Sequence, residues 1–145
     1  MISGDQVLPR ISSNVSVYPI EPDANPMADW LASLARLKRE VPDDVLVLPA
    51  HNECFRGLHA RIDSLARGQE SALERLRRTL KSPQRAVDVF SALFARSIGE
   101  ADVSLLGMAT GESVACLNYL LQRGEVQCEI DGDGRAWYQL VRSSS

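Results

Sequence analysis

Histidine and cysteine are scarce in this chain of 145 residues, which has only His51, His59, Cys54, Cys116 and Cys128. No compact Cys/His zinc framework can be drawn from those spacings. An odd cysteine count without a secretory signal argues for reduced thiols, and all three cysteines read as structural or incidental. Long apolar runs are missing too. Nothing approaches the roughly 20 residues that span a bilayer, and Asp5 and Pro9 stand where a signal peptide needs a basic and then apolar stretch. The chain therefore reads as cytoplasmic, with no membrane partner. Charge of one sign is also absent: 16 basic residues against 19 acidic ones leave a net charge of -3. That balance supplies no overall basic field for grasping phosphates. What is present is ordinary. An apolar content of 45% with 24% charged residues suffices for one core or two small ones.

Along the chain, Pro9, Pro19 and Pro22 forbid a long helix before Asn25. Asn25 then stands as a cap and Pro26 as a first-turn residue. Trp30, Leu31, Leu34 and Leu37 repeat at helical spacing as far as Arg39 or Glu40. Val45–Leu48 is too short for a helix and apolar on both faces, which predicts a buried parallel strand. From Leu58 the apolar residues Leu58, Ile62, Leu65, Leu73, Leu76 and Leu80 mark a long helix ending near Lys81. Ser82 and Pro83 predict the start of a second helix carrying Ala86, Val87, Phe90, Leu93 and Phe94, interrupted at Gly99. A third helix runs from about Leu105 to Arg123 and stops at Gly124. Val126, Cys128 and Ile130 alternate with polar residues, the turn Asp131-Gly132-Asp133-Gly134 follows, and Trp137, Tyr138 and Leu140 return as a second strand. Three helices and a hairpin make a winged helix, expected to fold from about Leu58 to Leu140 without the preceding segment.

Two features of the first third could carry chemistry. Gly4-Asp5 follows a short apolar start; by itself it reads as a surface turn. His51 closes the expected strand, where open α/β sheets place their ligands, but a strand-end histidine bonded to backbone is the plainer reading. The flanking sequence adds to both. "SGDQVLPRISSNVSVYPIEPDANPMADWLASLARL", "VLVLPAHNECFRGLHARIDSL" and "ATGESVACLNYLLQRGEV" together resemble the carboxyl half of metallo-β-lactamase-fold hydrolases that end in a winged-helix domain. The most specific parts are Gly4-Asp5, Leu48-Pro49-Ala50-His51, Arg56-Gly57-Leu58-His59, Gly111-Glu112 and Asn118-Tyr119-Leu120. The resemblance implies an α+β, mostly helical chain: residues 1–57 as a remnant of the αββα sandwich and 58–145 as the three-helix winged-helix domain. It implies zinc, with Asp5 matching the carboxylate that bridges two metal ions and His51 matching the last histidine ligand. Glu53 then stands where it can hydrogen-bond a ligating histidine. His59 either lines the mouth of the site or is a solvated residue of the first helical turn. The implied substrates are esters, thioesters, lactams or phosphodiesters.

The family's main metal motif, His-x-His-x-Asp-His, is absent from this sequence. The chain thus reads as a carboxyl-terminal fragment, inactive by itself and binding no zinc alone, whose orphan strand is covered by the helix Met27 to Arg39, by a second copy of the chain or not at all, with a homo-oligomer or the missing amino-terminal portion of the same domain as the expected partner. The competing reading is an autonomous winged-helix module for dimerisation or for protein or nucleic-acid interaction, with Asp5 and His51 vestigial. DNA is disfavoured as a partner by Glu100, Asp102 and Glu112 on the third helix and by the acidic hairpin turn. The basic cluster Arg75, Arg77, Arg78, Lys81 and Arg85 leaves RNA as a weaker candidate.

Overall fold

The computed structural model describes residues 1–95, 97–98 and 102–141. Its elements, in order, are β1 (Ile2–Gly4), α1 (Pro26–Glu40), β2 (Leu48–Pro49), α2 (Leu58–Thr79), a 3₁₀ turn (Ala86–Val89), α3 (Phe90–Leu93), α4 (Val103–Gln122), β3 (Val126–Ile130) and β4 (Ala136–Leu140). This is an α+β chain with two small sheets, β1 parallel to β2 and β3 antiparallel to β4. It divides into two compact units, Met1–Asn14 with Ala28–Glu70, and Val15–Met27 with Ser71–Ser145.

In the first unit, the expected fully buried strand is half realised. Val47 is completely buried, whereas Leu46 and Leu48 are 44% and 40% exposed. β2 has β1 on one side and the Val47–Phe55 bridge on the other, and Val47 and Leu48, being successive residues, point to opposite faces, one buried and one exposed. Trp30 and Leu34 of α1 and Leu58, Ile62 and Leu65 of α2 bury the apolar stripes that the periodicity marked. Asp43 accepts the backbone N–H of His59 at 2.7 Å, satisfying one of the free donors of the first turn of α2.

In the second unit, the expected second helix is broken up. Gln84 exchanges both backbone hydrogen bonds with Tyr138, at 2.9 and 2.7 Å, and extends the β3–β4 hairpin by one bridge. An extended residue at 84 excludes helix there. Helical structure begins only at Ala86, where Arg85 and Asp88 form a capping box, and passes from the 3₁₀ turn into the single turn of α3. Gly99 and Glu100 lie outside the described residues. α4 has the expected extent: Asp102 accepts the Leu105 N–H at 2.9 Å, and Gly124 follows the last turn at φ 72°.

The extended segment Val15–Ala24 lies against α4 and belongs to this unit, so the stretch from Leu58 onward is not the whole of it. The Val17 N–H donates to the Gly111 carbonyl at 3.0 Å, and the Asn118 amide donates to the Pro22 and Ala24 carbonyls at 2.8 and 2.9 Å. A Cβ at Gly111 would stand 3.0 Å from both Ser16 Cβ and the Val17 carbonyl, whereas a Cβ at Gly107 meets nothing within 4 Å. Gly107→Ala should therefore raise stability by about 0.5–1 kcal/mol through helix propensity alone. Gly111→Ala should lower it by about 1 kcal/mol, because the crowding against backbone outweighs that gain. Urea titrations of the two variants check the opposite signs.

Candidate functional site

Because β1 and β2 are parallel, their carboxyl ends share one edge of the sheet. Asp5 follows β1 and His51 follows β2 at that edge. Leu48 N–H donates to the Met1 carbonyl and Ala50 N–H to the Gly4 carbonyl, both at 2.9 Å, which locks the two strand ends side by side. The result is an imidazole Nε2 3.2 Å from a carboxylate Oδ1, with the side chains 63% and 67% exposed. So open a pair gains little from its own attraction in water.

The loop bearing Asp5 is held by buried polar contacts. The buried Ser13 hydroxyl donates to the Asp5 carbonyl, and the Trp30 indole N–H donates to the Gln6 carbonyl at 3.2 Å. Arg61 donates to the carbonyls of Leu8 and Ile11 at 2.6 and 2.9 Å. The sequence marks Trp30 only as part of the apolar stripe of α1, and it assigns none of the three a role in holding this loop. These hydrogen bonds carry no local signal, because each goes to backbone brought close only by folding.

The other candidates have different hydrogen-bond partners. Glu53 is bonded to Arg10 at 2.8 Å, and that guanidinium holds its carboxyl below the usual range. His59 places Nε2 2.8 Å from the Val41 carbonyl, so its ring is tied to backbone at the start of α2. Cys54 is exposed, Cys116 buried and Cys128 half-buried, all as free thiols.

As zinc ligands, Asp5 and His51 fit in type and spacing. Their 3.2 Å separation is close to the about 3.3 Å between two donors on one tetrahedral zinc ion with bonds near 2.0–2.1 Å. They do not fit in number. Catalytic zinc takes three protein ligands, and no group of three His, Cys, Asp or Glu side chains capable of holding a metal occurs among the described residues.

In the second unit, a pocket of about 480 Å³ lined by Val87, Phe90, Phe94 and Ile98 includes one carboxylate, Asp88. Arg85 holds that group at 2.7 Å and below its usual pKa. Of the basic cluster, Arg75 donates to the Ala92 carbonyl at 2.8 Å and Arg77 pairs with Glu125 at 2.7 Å. In the hairpin turn, the Asp131 carboxylate accepts from the N–H groups of Asp133, Arg135 and the Trp137 indole. Its role there is to shape the turn.

Residues 73–141 match the family model of the metallo-beta-lactamase-like, C-terminal domain. Two solved structures are similar over nearly the whole chain. One, a beta-lactamase domain protein from Burkholderia ambifaria, is 40% identical with a TM-score of 0.90, covering 97% of this chain and 41% of that one. The other, a metallo-beta-lactamase family protein from Thermus thermophilus, is 25% identical with a TM-score of 0.77, covering 95% of this chain and 41% of that one. The α+β fold is thus similar to that of metallo-beta-lactamase proteins, and the chain spans well under half the length of these two. No curated protein sequence matches the chain. Among the described residues, no helix is long and apolar enough to cross a membrane.

Proposed function

We propose that the chain is the carboxyl-terminal part of a zinc-dependent metallo-β-lactamase-like hydrolase, and that Asp5 and His51 are its contribution to the metal centre. The observation that carries this reading is the placement of a carboxylate and an imidazole 3.2 Å apart at the carboxyl edge of β1 and β2. The two similar structures, each more than twice as long, support it. Zinc in such a centre activates water for attack on an ester, thioester, lactam or phosphodiester. This chain's part is to hold one carboxylate and one neutral imidazole on paired strand ends, with Ser13 and Trp30 fixing the loop behind Asp5. In this reading the first unit, Met1–Asn14 with Ala28–Glu70, belongs to the sandwich, and the second unit, Val15–Met27 with Ser71–Ser145, forms a winged-helix-like domain. The order α2, α3, α4, β3, β4, with Gln84 added to the hairpin, supports the latter. DNA is disfavoured as its partner, and RNA stays the weaker candidate, since Arg75, Arg77 and Arg85 of the basic cluster make contacts within the fold.

The test is zinc content. The purified 145-residue chain should carry well under one zinc per molecule and hydrolyse none of the four substrate types, because two ligands leave the ion half-coordinated. A chimera placing this chain after the part of the Burkholderia ambifaria protein that it does not cover should bind zinc stoichiometrically. There His51→Ala should weaken binding by about tenfold or more. Stoichiometric zinc on the 145-residue chain itself, lost in His51→Ala, would show a site completed by other means and end the half-centre reading.

A further inference from the structure

We infer that Gly4 and Asn52 are positioning residues for the Asp5–His51 pair: the left-handed backbone conformation at each turns the carboxylate and the imidazole toward one another. This rests on the reading above for its chemical meaning and adds what holds the two groups in place.

Their own attraction does not hold them, because side chains 63% and 67% exposed gain little from it in water. The aim must come from the backbone, and the backbone is unusual beside both. Gly4, immediately before Asp5, has φ 53°, and Asn52, immediately after His51, has φ 67°. Asn52 is the one residue other than glycine with a positive φ among the described residues. After glycine, Asn and Asp adopt this conformation most readily. Asn52 is exposed, so no packing of its side chain imposes it. Backbone of this kind concentrates where a site is held in a fixed geometry.

Each left-handed step has an identifiable effect on its neighbour. Ile2 pairs with Leu48 and Gly4 with Pro49, so two steps along β1 match one along β2 and the register shifts between them. An extra residue inverts the alternation of the side chains beyond it, which re-aims Asp5. A Cβ at Gly4 would meet nothing within 4 Å, so glycine stands there for its φ and not for space. On the other arm, Val47 and Phe55 exchange both backbone hydrogen bonds, at 2.8 and 3.1 Å, so the chain reverses between them. His51 lies within that reversal. The left-handed step at Asn52 turns the chain away directly after it and leaves the imidazole at the strand end, opposite Asp5.

The experiment measures nuclear Overhauser effects between the His51 ring and the Asp5 methylene protons in the 145-residue chain, without metal. Gly4→Asn and Asn52→Gly keep access to positive φ and should retain the parental effect. Gly4→Val and Asn52→Val should abolish it, because a β-branched residue is the least tolerant of positive φ. The His59 ring, tied to the Val41 carbonyl, reports that the unit is still folded. Where a valine variant fails that control, Gly4→Ala and Asn52→Ala replace it and should reduce the effect. An undiminished effect in the folded variants overturns the inference, as does its loss in Asn52→Gly, which would assign the role to the amide side chain. Zinc binding by the chimera separates this from the metal reading. There Asn52→Val should weaken binding by about tenfold or more, and Asn52→Gly should not. A chimera that takes up no zinc removes the metal reading and leaves the positioning result standing. Zinc held equally tightly by Asn52→Val and the parent overturns the positioning role.

Discussion

Asn118→Ala is expected to lower the free energy of unfolding by about 1.5–3 kcal/mol, a large effect for one polar side chain. Asn118 is only 5% exposed, and its amide donates to two carbonyls, those of Pro22 and Ala24. Truncation removes both bonds at once and leaves the half-buried Ala24 carbonyl without its donor. One turn later on the same helix, Gln122 makes a similar pair of contacts, accepting from Asn25 at 3.0 Å and donating to the Asp23 carbonyl at 3.1 Å, but in solvent. Gln122→Ala should therefore cost no more than about 0.5 kcal/mol, since water replaces what is lost. Denaturant titrations followed by circular dichroism would compare the two. Equal costs would mean that burial of Asn118 is not what fastens the Val15–Ala24 segment to α4.

The second large effect is a pH dependence. Burial pushes the Glu112 carboxyl up to about 7 from 4.5, and it has no hydrogen-bond or ion-pair partner among the described residues. Between pH 4.5 and 7 the folded state keeps a proton that the unfolded state has released. Stability from this group therefore falls as pH rises through that window and stays lowered above it. Glu112→Gln removes the titration. It should match the parent at pH 4 and exceed it at pH 8 by about 1–3 kcal/mol, the full linkage value being reduced because the side chain is partly solvated. Other carboxylates slope the opposite way. Arg77 holds Glu125 low and Arg85 holds Asp88 low, so their contributions are present at neutral pH and fade as acid protonates them. Only the difference between the parent and Glu112→Gln isolates the residue, and a difference independent of pH would contradict the assignment.

Glu112 and Asn118 also show what kind of information a motif carries. Both belong to the segments whose wording most resembles the metallo-β-lactamase family, as does Gly111. In the fold, Gly111 and Asn118 fasten an extended segment to α4 by close approach and by paired hydrogen bonds.

What the sequence by itself determined is local. The apolar stripes of α1, α2 and α4, the stop at Gly124 and the alternation of β3 and β4 follow from backbone periods of 3.6 and 2, which neighbouring residues alone reveal. The scarcity of histidine limited the metal ligands before any coordinates were known. Tertiary structure decided everything that depends on pairing across the chain. Gln84 lies in a stretch with helical apolar spacing yet is extended, because its backbone hydrogen bonds go to Tyr138. Leu46 and Leu48 resemble core but face outward, because burial depends on a second layer and not on the residue. Asp5 and His51 could be matched to a family one by one, but only the parallel pairing of β1 with β2 sets them 3.2 Å apart. A hydrogen bond between distant residues forms only once the chain entropy of bringing them together has been overcome by the packing of many others, and no short window of sequence contains that sum.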